Sequence, residues 1–132
     1  TEAEEHRPGA TTLMVRNIPA ACTCEALLRE WHVADAIDFL YLPRSARGRT
    51  TLGYAFVNFL TPEGAQAFRR DWEARRLVQI PHHRGLSITL AHRQGWQANV
   101  LELKGKPARE MRSRRCEVII VKHGHRVSLS EA

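Results

Sequence analysis

Tyr54 and Phe56 lie two residues apart in the stretch from Leu52 to Phe59 (LGYAFVNF). Two rings at that spacing can stack flat, delocalised molecules, provided both face outward. Successive side chains of a strand point to opposite faces. Ala55, Val57 and Phe59 then turn to a core, and Tyr54, Phe56 and Asn58 turn away from it. An outward Tyr/Phe pair is costly for solubility, but it suits the stacking of nucleobases. The same rings could instead lie under the chain's own C-terminal segment. A place in the core is opposed by parity, since Ala55, Val57 and Phe59 fill it.

A second strand-like run, Leu13 to Ile18, places Met14 and Arg16 on one side. A methionine can cover a base by dispersion, less rigidly than a ring. An arginine can pair with phosphate or lay its guanidinium plane over a base. Tyr41 and Phe39 have the parity opposite to Leu40 and Leu42. If the leucines are core, Tyr41 extends the platform, although register is easily displaced by one residue. Arg44, Arg47 and Arg49 cluster in the polar loop that follows. They form either a solvated loop or a set of phosphate contacts, and contacts of that kind would make affinity salt-dependent.

Other chemistries find less support. The Cys22-x-Cys24 and His82-His83 pairs do not have the spacing of a structural zinc site. No Gly-x-Ser-x-Gly elbow is present and no cysteine has a readable base partner, so neither catalysis, a metal nor a cofactor is expected. Three cysteines suit a reducing, intracellular compartment such as the nucleus or cytoplasm. No apolar run approaches the ~20 residues of a membrane span. A formal charge of +6 favours a polyanionic partner, and 43% hydrophobic residues suffice for a packed core. The chain opens at Thr1 without an initiator Met, as a fragment of a longer protein would.

The elements that must position these side chains follow from periodicity and breakers. Residues 1–10 read as a mobile arm ending in Pro8-Gly9. Strands are expected over Thr11 to Ile18, Ile37 to Leu42, Leu52 to Leu60 and Leu86 to Ala91. Thr23 caps a helix to about Val33 that buries Leu27 and Trp31. Thr61-Pro62-Glu63 starts a second helix to about Arg75 that buries Ala65, Phe68 and Trp72. The order β-α-β-β-α-β predicts an α+β, ferredoxin-like fold with two helices on one face of a four-stranded antiparallel sheet. Residues 94–132 extend beyond it: a third helix from Trp96 to Leu103, a basic stretch, a short strand from Cys116 to Val121, and a loose tail after Lys122. The third helix could pack across the open sheet face.

Leu52 to Phe59 fits the longer RNP signature of the RNA recognition motif (RRM), except that Leu52 replaces the usual Lys or Arg. Leu13 to Ile18 fits the shorter one, with Met14 at the aromatic position and Asn17 at the asparagine. Together, Thr11 to Pro19 (TTLMVRNIP), Asp38 to Pro43 (DFLYLP), Gly53 to Phe59 (GYAFVNF) and Ala91 to Gly95 (AHRQG) resemble the C-terminal RRM of the Mei-two-like meiosis-regulator proteins. After Pro19 the chain departs from that family, with Ala20-Ala21-Cys22 where Asn-Lys-aromatic is usual. The resemblance implies an RRM over 11–93 that binds single-stranded RNA without catalysis. Carried over by motif position, its contact residues are Met14, Arg16, Tyr41, Tyr54 and Phe56; the full set expected from the chain adds Asn17, Arg44, Arg47, Arg49, Asn58 and Arg93. The alternative is a protein-interaction RRM that holds a peptide and whose sheet is covered by its own C-terminal helix. A protein partner would then use the helices or the extension. Oligomeric state is not set by the sequence.

Overall fold

Alternating apolar residues build a single twisted sheet, described here from a computed structural model of residues 8–45, 50–78, 84–107 and 117–132. The strands are β1 (Thr12–Arg16), β2 (Ile37–Leu42), β3 (Tyr54–Phe59), β4 (Ser87–Leu90), β5 (Glu117–Lys122) and β6 (His125–Val127). They lie in the order β4-β1-β3-β2-β5-β6, every pair antiparallel. Helices α1 (Cys24–Trp31) and α2 (Pro62–Trp72) cover one face. Their Leu27, Trp31, Ala65, Phe68 and Trp72 close the main core over Leu13, Val15, Leu40, Val57 and Phe59. This is the expected α+β arrangement, extended by two strands and by helix α3 (Trp96–Lys104).

Local chemistry sets the helix limits. Thr23 and Thr61 accept at their hydroxyl oxygens from the amides of Ala26 (3.1 Å) and Gly64 (3.0 Å). Helix α1 stops at His32, which takes a left-handed conformation (φ 55°), short of the expected Val33. Helix α2 ends at Trp72 rather than Arg75; the Arg75 guanidinium lies 4.2 Å from the Trp72 ring centre.

Two features of the sheet depart from simple alternation. A bulge in β2 sets both Asp38 and Phe39 against Asn58, so Ile37 remains in the main core while Phe39 joins the opposite face. The tail expected to be loose after Lys122 instead turns back as β6. His123 (φ 53°) and Gly124 (φ 80°) are both left-handed and link the paired residues Lys122 and His125. That is the two-residue hairpin geometry matching strand twist. Val127, Leu129 and Ala132 then pack onto the face opposite α1 and α2.

The extension is fastened to the body electrostatically. Glu117, the first residue of β5, accepts from the Cys24 amide at 2.6 Å and pairs with Arg44. Arg44 also donates to the Cys22 carbonyl (3.0 Å). A carboxylate at the start of α1 complements the helix dipole. At the far end of the hairpin, Arg126 pairs with Glu25 at 2.6 Å. Arg44 is the buried member, so removing Glu117 strands its charge. Glu117→Ala is therefore expected to destabilise the fold by about 3 kcal/mol, read as a lower urea midpoint with an unchanged slope.

Candidate nucleic-acid interface

The strand register assembles the outward residues into rows across the sheet. Arg16 of β1 pairs with Tyr54 of β3 and, on its other side, with Ser87 of β4. One row further along, Met14 pairs with Phe56, and Phe56 with Tyr41 of β2. The next row joins Thr12, Asn58, Phe39 and Ile120. The Tyr54 and Phe56 rings meet edge to face, 5.7 Å between centres and 80° between planes. Both are partly exposed, whereas Ala55, Val57 and Phe59 are buried, as parity requires.

Helix α3 covers only the third row. Its Val100 and Leu103 bury Phe39 and Ile120, with Trp96 at the margin. A hydrogen-bond network holds it there. The Gln94 side chain behaves like a short strand beside β1. Its oxygen accepts from the amides of Thr11 and Thr12 (2.9 Å each), and its amide donates to the carbonyls of Thr12 and Ala91 (2.8 Å each). Gly95, at φ 96°, turns the chain so that its amide reaches the Thr12 hydroxyl at 2.8 Å. Asn99 donates to the same hydroxyl (3.3 Å) and to the Gly95 carbonyl (2.7 Å).

Between this helix and the open rows lies a cleft of about 200 Å³. Tyr41, Tyr54 and Phe56 line it on the sheet side, with Asn99 and Glu102 on the helix side and Arg93 and Lys106 also lining it. Arg93 pairs with Glu102 at 3.3 Å, both side chains about half exposed. The cleft therefore joins aromatic faces to a polar wall, the combination that grips a base by its ring and its edge.

The expected contact residues separate into groups. Met14, Arg16, Tyr41, Tyr54 and Phe56 share the open rows, and Arg93 lies beside them. Asn58 faces the expected way but is 3% exposed. Its oxygen accepts from the Thr11 and Thr12 hydroxyls (2.7 Å each), and its amide donates to Asp38 (2.8 Å). Burial pushes the Asp38 carboxyl up, opposed by that bond from Asn58. Arg44 is 7% exposed rather than solvated, because Glu117 and the Cys22 carbonyl hold it inward. Asn17 donates to the Gly85 carbonyl at 2.9 Å and acts within the fold. Arg47 and Arg49 lie outside the described residues, as do His82, His83 and Cys116. Sequence reasoning missed Asn99 and Glu102, which needed the helix phase of α3.

Among the described residues, no three His, Cys, Asp or Glu side chains gather as a metal site, and no helix is long and apolar enough to cross a membrane. Cys22 and Cys24 are buried thiols. Burial pushes Cys22 from its ordinary 9.0 up to about 11, and Cys24 also upward, where the Glu117 charge adds to burial. Both favour the neutral form, unlike a reactive thiolate. A folded-state value above the unfolded one gives stability that is present below pH 9 and lost as pH rises through about 11. Urea midpoints are expected to be flat from pH 7 to 8.5 and to fall above pH 9, with the fall reduced in Cys22→Ser/Cys24→Ser.

The profile of RNA recognition motif 2 matches residues 10–104. Protein MEI2-like 1 of Arabidopsis thaliana is 30% identical over 112 residues, covering 83% of this chain and 12% of that protein. Protein MEI2-like 5 of Oryza sativa subsp. japonica is 33% identical over 93 residues, covering 68% of this chain and 11% of that protein. The chain thus spans about an eighth of the length of these curated relatives. Among solved structures, the Sxl-lethal protein in complex with RNA superposes with a TM-score of 0.55 at 25% identity, covering 61% of this chain and 47% of that one. The Rna15 RRM with bound RNA (GU) superposes at 0.56 and 19% identity, covering 72% of this chain and 97% of that one, a likeness of fold.

Proposed function

Because this chain belongs to the RNA recognition motif 2 family, the domain it shares with the MEI2-like proteins, we propose that it binds single-stranded RNA on the open rows of its sheet. The observation that carries this reading is the partly exposed Tyr54/Phe56 pair at the floor of a cleft that Arg93 and Lys106 also line. Family membership and the RNA held by the Sxl-lethal and Rna15 structures support it. In this reading, bases stack on Tyr54 and Phe56, Met14 and Tyr41 widen the platform along their shared row, and basic side chains meet the phosphates. Helix α3 limits the platform: the Phe39 row is closed, so the strand of RNA runs over two rows rather than three. Asn99 and Glu102 line the wall beside a base held in the cleft, and the Glu102 carboxylate supplies a hydrogen-bond acceptor to its edge.

Each lost stacking ring costs about 1–3 kcal/mol, so Tyr54→Ala/Phe56→Ala is expected to weaken binding of an unstructured oligoribonucleotide on the order of a hundredfold. Fluorescence anisotropy at several salt concentrations reads this directly. Absence of binding by the unaltered protein at low salt would overturn the proposal.

A further inference from the structure

The RNP octamer starts with Leu52, 46% exposed, where the signature has a cation. Beside it opens a second cleft, of about 320 Å³, lined by Arg16, Asn17, Leu52, Gly53, Tyr54 and Arg84. It adjoins the stacking face, since Tyr54 and Leu52 line both clefts. Arg16 and Arg84 are both exposed. Among the described residues, neither is paired with a carboxylate, whereas Arg44, Arg93 and Arg126 each are.

The position of Arg84 is built rather than incidental. The next residue, Gly85, accepts from the Asn17 side chain at 2.9 Å. A Cβ at Gly85 would lie 2.2 Å from the Ala74 carbonyl oxygen, so only glycine fits that approach. Leu86 then bonds in both directions, its amide to the Arg75 carbonyl and its carbonyl to the Ala74 amide, each at 2.8 Å. These contacts fix the backbone beside Arg84 against the end of β1.

We propose that Arg84, together with Arg16, forms a phosphodiester-binding site for the nucleotide stacked on Tyr54, taking over the role of the cation absent at Leu52. The site rests on the RNA-binding reading above. Two guanidinium groups flanking one cleft suit a phosphate, which accepts paired N–H donors in a fork geometry.

The test uses the whole chain and an unstructured oligoribonucleotide, with Arg70→Ala, an exposed charge on α2, as the control for net charge. Arg84→Ala is expected to lower affinity roughly tenfold and to make the log affinity against log salt plot shallower by about 0.7. Replacing single linkages by neutral methylphosphonates should reveal one position where the Arg84→Ala effect disappears. Leu52→Lys in the Arg84→Ala background should recover much of the loss. Arg84→Ala binding like the unaltered protein, or losing no more than Arg70→Ala, would refute the site. If Tyr54→Ala/Phe56→Ala still loses binding in that case, the stacking reading survives. If the unaltered protein binds no RNA at low salt, both readings fall.

Discussion

The outer face of the sheet depends on how the Thr12 hydroxyl is used. It donates to Asn58 and accepts from the Gly95 amide and the Asn99 side chain, which is the full capacity of a hydroxyl. This single atom joins β1, β3 and the start of α3 where water cannot replace a missing partner. A buried network with every member satisfied specifies one arrangement, and a partly satisfied one would be costly. Helix α3 has no side-chain cap of its own, so its start is defined by this network and by Gln94. The extent of open sheet follows from where that helix begins.

The result is a divided face. Burial of Phe39 and Ile120 under Val100 and Leu103 gives α3 its apolar anchorage. Phe56 and Tyr54, one and two rows away, retain part of their surface. Closure of one end and exposure of the other are two outcomes of one packing choice. The alternatives of an open platform and a covered sheet are in this chain spatially separate.

Much of this was legible from the residues themselves. Strict alternation in β3 located both the core and the partly exposed rings of Tyr54 and Phe56, and the two Thr caps located α1 and α2. Reading failed wherever the decisive partner was distant in sequence. The outward parity of Asn58 is correct, yet its burial is set by Thr11 and Thr12, 47 and 46 residues away. Arg44 reads as a phosphate contact or a solvated loop charge, because Glu117, its partner, is 73 residues later. The β2 bulge left no signal in composition. The turn after Lys122 did leave one, since His123-Gly124 has the small, left-handed-tolerant second residue that two-residue hairpins favour.

The ties between the two ends of the chain also bear on how it is made. Gln94 grips Thr12 across 82 residues, and Arg126 meets Glu25 across 101. Contacts of such separation form late, because loop closure precedes any reward. In chain order, β1, β3 and both capped helices are synthesised before β5 and β6. Until β5 is added, Phe39 lacks Ile120 beside it and the outer edge of β2 has no neighbour. The closed end of the outer face is thus completed by the last residues of the sheet to be made.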